Sequence, residues 1–274
     1  MPEERVQIKI ENHIADVALM RSDKHNAIDG DMFEAIVAAA ARLADEPGVR
    51  AVVLHGQGPS FCSGIDVGWL AGDDSTVFAE EAVKRDSFGA NMFQRVSTAW
   101  LEVPVPVIAS IQGNCFGGGL QIALGADIRI ATPDSKLSIR EVHWGLVPDM
   151  GITATLPRLL PLDVAKELTY TGRVISGAEA DELGLVTRVD EDPLGAARSL
   201  AEEIAGRSPQ AVRAAKQLYE ASWHEGGAAG LELESELQFG LIKSPNQIAA
   251  VMAGFTKEPA EFTDPDPGGR AAAR

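Results

Sequence analysis

The sequence predicts an α/β fold: stacked strand–strand–helix units, then a helical C-terminal region. Three observations carry this. Short runs rich in β-branched residues, at 51–55, 105–111 and 127–132, alternate with stretches of helical apolar spacing. Two of these strands run into small-residue turns containing glycine, at 59–66 and 113–119. The second half of the chain is mostly helical in pattern.

In chain order, 6–10 and 14–20 run apolar or alternate around Glu11-Asn12-His13, which predicts a hairpin. Asp29 stands as N-cap of a helix marked by Phe33, Ile36, Val37, Ala40 and Leu43 and stopped at Pro47-Gly48. Strand 52–55 follows. Residues 75–100 read as a long, charged, partly exposed helix with Gly89 as its weak point. Strand 105–111, a glycine-led helix and strand 127–132 come next. Ser176-Gly177-Ala178-Glu179 has the form of a capping box opening a short helix that ends at Gly184. Helices are expected at 194–206, 209–221, 228–242 and 245–255. There is no second independent domain: 1–190 form the core, 191–262 the helical region, and the Pro/Gly/Ala/Arg-rich 263–274 a disordered tail.

Composition narrows the function. The 274 residues are 45% apolar but only 5% aromatic, so Ala, Val, Leu and Ile must build the core. A net charge of −16 argues against a nucleic-acid or anionic-membrane surface, though a basic pocket can still hold an anion. Two cysteines, Cys62 and Cys115, point to a reducing compartment and show no metal spacing. Neither a membrane-spanning run nor a signal peptide's apolar core is present, so a soluble, cytoplasmic protein is expected.

The most informative segment is Ile111-Gln112-Gly113-Asn114-Cys115-Phe116-Gly117-Gly118-Gly119-Leu120-Gln121. A strand runs into three glycines, and an apolar helix starts with no capping side chain. Glycine permits close backbone approach, and the helix start offers N–H groups and a positive dipole end. That is a site for a negatively charged oxygen, bound or forming. Neither a P-loop nor the G-x-G-x-x-G spacing is present, which argues against a nucleotide phosphate. Tight helix–strand packing alone explains the glycines equally well. A second strand-to-turn junction, Pro59-Ser60-Phe61-Cys62-Ser63-Gly64-Ile65-Asp66, breaks the tie, because an oxyanion hole needs N–H donors converging from two loops.

With these two motifs in this order, the chain resembles the crotonase (enoyl-CoA hydratase/isomerase) superfamily, whose signature is F-[SCA]-[AS]-G-x-D and then G-x-x-x-G-G-G. The resemblance runs from Val6 to Phe262. It implies a ββα spiral core with C-terminal helices that build a homotrimer or hexamer. It also implies an acyl-CoA thioester substrate, an enolate intermediate, and no metal or further cofactor. By motif, the hole's donors are the N–H groups of Ile65 and Gly118.

Family hydratases use two glutamates. The first position is Gln121 here, and an amide cannot act as general base, so efficient water addition is not expected. The second falls on Glu141, in the segment 138–146, read as strand and turn. Burial beside Val142, Trp144 and Leu146 would raise its pKa into a useful range. Asp149 stands eight positions on, where hydratases have a small residue. Dienoyl-CoA isomerases resemble this chain there, with acids at both places, although they carry a third at the Gln121 position. Moving a 3,5-diene to 2,4 takes a proton from C2 and delivers one to C6, atoms too far apart for one carboxylate. Turn Asp and helix N-cap remain equal readings for Asp149. A mono-enoyl isomerase, a hydratase and a non-catalytic CoA-ester binder stay open as alternatives.

The segment Arg21-Ser22-Asp23-Lys24-His25-Asn26-Ala27 resembles the family's CoA-channel loop. The resemblance assigns CoA contacts to Lys24, His25 and Ala27, to Ser63 and Asp66 of the first turn, and to Phe255 and Lys257 near the C-terminus. On a strand His143 would share the Glu141 face. His13, His55 and His224 show no constellation, and no nucleophile elbow exists.

Overall fold

The computed structural model describes residues 4–72, 83–223 and 227–265. The hairpin forms as the pattern requires: β1 (Val6–Glu11) pairs antiparallel with β2 (Ile14–Leu19), and Asn12 and His13 take positive φ in the turn. Asp29 caps α1 (Gly30–Ala44), its side chain accepting from the Met32 N–H. β3 (Ala51–Gly56), β4 (Val107–Ile111), β6 (Ile128–Ala131) and β9 (Arg188–Val189) then add in parallel, giving one six-stranded sheet in the order β1-β2-β3-β4-β6-β9.

The second strand of each unit builds a second layer. β5 (Asn114–Phe116), β7 (Lys136–Ser138) and β8 (Ile175–Ser176) form a three-stranded sheet. Its rows continue as isolated parallel bridges, Cys62 with Cys115 and Ile28 with Ile65. Each turn of the spiral therefore lays its post-strand loop beside the loop of the next turn. That stacking brings 61–66, 114–119 and 138–141 together.

Between the layers lies one apolar cluster, with Trp100, Phe33 and Phe61 its largest fully buried side chains. On the sheet's other face, Ala197 and Ala201 of α8 (Pro193–Ala205) pack on Ala51, Val53, Ile108 and Ile130. From α9 (Pro209–Ser222), the buried Lys216 ammonium donates to the carbonyls of Trp100 and Val105 and to Asp127 at 2.7 Å. α10 (Gly227–Leu241) and α11 (Pro245–Thr256) follow, with Leu231, Phe239, Val251, Met252 and Phe255 exposed. No described helix is long and apolar enough to cross a membrane.

Several expectations need correction. The long helix expected at 75–100 is α3 (Met92–Glu102), opened by a capping box between Asn91 and Gln94; Gly89 lies before it at φ +84°, and 73–82 lie outside the described residues. Ser176 does cap α7 (Gly177–Glu182), but Glu179 turns its carboxylate to Arg173, so only half the capping box forms. The helix α6 (Leu162–Thr171) was not anticipated. Thr263 and Asp264, expected in a disordered tail, are tied to the core: Thr263 donates its N–H to Asn246, and Asp264 pairs with Arg50 at 2.7 Å; 266–274 lie outside the described residues.

Candidate active site

Two turns make one wall of the site. In the first, the N–H of Ile28 donates to the Gly64 carbonyl and that of Asp66 to the Ile28 carbonyl, both at 2.9 Å. This pattern turns the Ile65 N–H to the opposite side, where it finds no acceptor among the described residues. In the second, Gly117 (φ +50°) precedes α4 (Gly118–Leu124) without any capping side chain, and the Gly118 N–H likewise has no acceptor among the described residues. The turns touch: a Cβ placed on Gly64 would lie 3.7 Å from the Gly118 nitrogen, and one on Gly119 only 2.4 Å from the Cys62 carbonyl oxygen. Two unpartnered N–H groups thus sit on adjacent, tightly packed loops.

The other wall carries the acids. Residues Glu141–Trp144 form a 3-10 turn rather than a strand, so the predicted alternation fails. His143 is exposed, edge-on to Trp144, and does not share the Glu141 face. Glu141 instead bends toward the glycines: a Cβ on Gly117 would stand 3.2 Å from its Oε1. Burial raises the Glu141 carboxyl above the ordinary range; its own backbone N–H and the Gln121 amide pull against this, and the Asp149 charge adds to it. The burial does not come from Trp144 and Leu146, which are exposed. Nor does Arg140 neutralise Glu141, since its guanidinium lies over the Phe116 ring and donates to the Gly172 carbonyl. Asp149 is solvent-accessible, yet partial desolvation raises its carboxyl too. It caps no helix, because the N-cap of the short α5 (Ile152–Thr155) is Gly151.

Gln121, 1% exposed, joins the two walls. Its Nε2 donates to Glu141 Oε1 at 2.6 Å, and its Oε1 accepts from the Met150 N–H at 2.8 Å. The second carboxylate oxygen, Glu141 Oε2, is buried without a hydrogen-bond partner among the described residues.

The expected CoA contacts fare unevenly. Lys24 and His25 lie exposed at the end of a 3-10 turn, His25 with φ +51° and Nδ1 2.9 Å from Ser60 Oγ. Ala27 is buried, its carbonyl already accepting from Arg21. Ser63 donates to the Lys24 carbonyl. Asp66 is engaged structurally: it caps the short α2 (Val67–Leu70) and pairs with Arg21 at 2.8 Å. Phe255 and Lys257 are exposed at the end of α11, which packs against α9, and are not brought to this site within the chain. Of the remaining histidines, His13 bonds the Gly48 carbonyl, His55 bonds Asp16, and His224 lies outside the described residues.

Sequence reasoning missed Asn26. Buried at φ +55°, it donates to the carbonyls of Gln57, Ser60 and Phe61 and accepts from the Arg21 N–H, clamping the 21–27 loop to the first turn. An Asn closing a short polar loop was the available signal. Both cysteines are buried, and burial pushes the Cys62 thiol up to about 12, so neither is a nucleophile here. A cavity of about 550 Å³ opens elsewhere, between α1 and α3 beside Phe33, Val37 and Met92; none of the acids above lines it.

Known proteins resemble this chain in sequence and in fold. The sequence profile of the family described as Enoyl-CoA hydratase/isomerase matches residues 9–265. The mitochondrial Delta(3,5)-Delta(2,4)-dienoyl-CoA isomerase of Mus musculus is 31% identical over 264 residues, spanning 93% of this chain and 80% of the relative. The (E)-benzylidenesuccinyl-CoA hydratase of Thauera aromatica is 34% identical over 242 residues, 87% of each. A solved enoyl-CoA hydratase from Bacillus anthracis superposes with a TM-score of 0.86 at 30% identity, over 94% of this chain and 98% of that one.

Proposed function

The chain belongs to the enoyl-CoA hydratase/isomerase family and has the crotonase fold; from that premise we propose that it is a dienoyl-type enoyl-CoA isomerase, moving a 3,5-diene to the 2,4 position. One observation carries the reading. Burial raises the carboxyls of both Glu141 and Asp149, the Asp149 charge adds to the rise at Glu141, and the amide at the other hydratase position has both ends occupied.

In this mechanism the thioester oxygen accepts hydrogen bonds from the Ile65 and Gly118 N–H groups. Ionised Glu141 removes a proton from C2, and the C–H electron pair enters the thioester as an enolate, stabilised at that oxygen by about 3–4 kcal/mol per donor. The pair then moves along the conjugated carbons to C6, where it takes a proton from neutral Asp149. The required starting state has one proton on the pair, held by Asp149, whose carboxyl partial desolvation raises. CoA enters as part of the substrate, and the reaction uses no metal or further cofactor. The exposed apolar side chains of α10 and α11 support a homotrimer or hexamer.

Hydration is the second reading, favoured by the 34% identity to a hydratase. Gln121 speaks against it, since its oxygen already accepts from Met150 and it cannot take a proton from water. Near-UV absorbance separates the two. A 3,5-dienoyl-CoA should give a fast rise, with little change on a 2-enoyl-CoA. Asp149→Asn should lose diene isomerisation by about a hundredfold while keeping C2 proton exchange. Fast loss of 2-enoyl absorbance with an inert diene would make the protein a hydratase.

A further inference from the structure

We infer that Gln121 is a positioning residue: it anchors Oε1 of Glu141 and leaves Oε2 as the oxygen that carries the substrate proton. The inference deepens the isomerase reading and rests on it only in taking Glu141 as the C2 base.

The amide orientation follows from its partners. The Met150 N–H can only donate, so the Gln121 oxygen must face it, and the NH2 group must face Glu141. Met150 is itself held, because its carbonyl accepts from the hydroxyl of the fully buried Ser97 on α3. The chain Ser97–Met150–Gln121–Glu141 therefore runs from a buried helix to the base through hydrogen bonds alone. With Oε1 engaged by the Gln121 amide at 2.6 Å, the buried Oε2 is the carboxylate oxygen without a hydrogen bond among the described residues, and so the one left to take the substrate proton. The same link ties the Glu141 turn to the residue that follows Asp149, so one amide fixes the relative placement of both acids.

A carboxyl group in place of the Gln121 amide behaves differently. When ionised it could accept from Met150 but could not donate to Glu141, and the two like charges would repel. When neutral, a carboxylic acid presents one acceptor and one donor, as the amide does. The substituted acid and Glu141, holding one proton between them, would then restore the anchor. Charged groups facing Glu141 from other elements are few among the described residues: Asp149 couples to it, Arg140 points to Phe116 and Gly172, and His143 turns onto Trp144.

The test follows deuterium entry at C2 of a saturated acyl-CoA in D2O by NMR, with rate against pH and concentration, for wild type, Gln121→Met and Gln121→Glu. Gln121→Met should lower the maximal exchange rate about ten- to a hundredfold with KM nearly unchanged, and move the ascending limb to higher pH. Gln121→Glu should be impaired at high pH and recover relative to Gln121→Met as the pH falls. A packing role alone would lower both variants equally at every pH and overturn the inference, as would a Met variant with wild-type exchange. If Gln121→Met fails to fold, the pH-dependent recovery of Gln121→Glu decides the matter. Wild type without C2 exchange overturns the choice of base beneath the inference. Exchange without diene conversion sinks only the dienoyl reading and leaves Gln121 in its role.

Discussion

The glycine wall and the acid wall face each other across the site but are built by opposite means. In the glycine wall the backbone provides the functional groups: Cys62, Cys115, Gly118 and Gly119 are buried, and a ladder of 2.9–3.0 Å bonds (Cys62 to Asn114, Phe116 to Cys62, Gly117 to Ser138) fixes them. The acid wall is an irregular turn ending at an αL glycine, with Trp144, Leu146 and Val147 exposed, and only side chains there do chemistry. A backbone donor needs no side-chain identity but tolerates no added volume. A titratable side chain tolerates a change of shape nearby, yet its charge must be kept in a place that disfavours it. Substitutions should therefore fail in different ways on the two sides.

The largest effect is expected on the acid side. Glu141→Gln keeps the shape and lets the new amide oxygen accept from Gln121, but it cannot take a proton. Isomerisation and C2 exchange should fall by about 10²–10⁴, with CoA-ester binding retained. Stopped assays with diene and isothermal titration with a saturated ester measure the two parts. Loss of less than about tenfold would place the base elsewhere.

On the glycine side the damage should be structural. In Gly119→Ala the new Cβ would meet the Cys62 oxygen at 2.4 Å and its Cβ at 2.8 Å, and backbone cannot give way without parting the two turns. A cost of about 1–3 kcal/mol is expected, seen as a Tm several degrees lower, with a loss of kcat that does not vary with pH. Gly118→Ala meets the flexible Met150 Sδ at 2.6 Å instead and should melt closer to wild type. If Gly119→Ala melted like wild type, contact between the loops would not set their spacing.

The same division decides what could be read from the sequence. Strands, helix starts and both glycine turns were legible because backbone needs leave residue-type marks: β-branched runs, a cap at Asp29, glycine at positive φ. Glu141 and Asp149 are singled out through family motifs, and the Glu141 carboxyl is raised by burial in the expected direction. The details failed where tertiary packing decides. The sequence places Trp144 and Leu146 as the burial around Glu141, whereas the spiral turns them outward and brings Gly117 against the carboxyl. Glu179 has the capping-box position, but Arg173 outcompetes the backbone N–H for it. Nothing in the local pattern links Gln121 to Met150, because their bond joins segments 29 positions apart. Asp66 matches a motif associated with ligand, and local geometry gives it a cap and an arginine instead.

The smallest effect has the most informative sign. Burial raises Glu141 in the folded state, so the neutral form is the one folding favours. Its contribution to stability is fully present below the unfolded carboxylate value, about 4.3, and is lost as pH rises through the folded value. Glu141→Gln removes that loss. The variant should therefore melt above wild type at neutral pH, by a few degrees at most, and the gap should close toward about pH 4. Asp16 and Asp66 titrate the other way: burial pushes them up, but hydrogen bonds from His55 and Arg198, and from Arg21, hold both carboxyls below the ordinary range. They contribute equally to both proteins, so the difference in Tm at each pH isolates Glu141. A gap that is constant with pH would mean altered packing rather than charge. A variant that melts below wild type at neutral pH would make Glu141 a stabilising ion, and the contrast between the walls would fail.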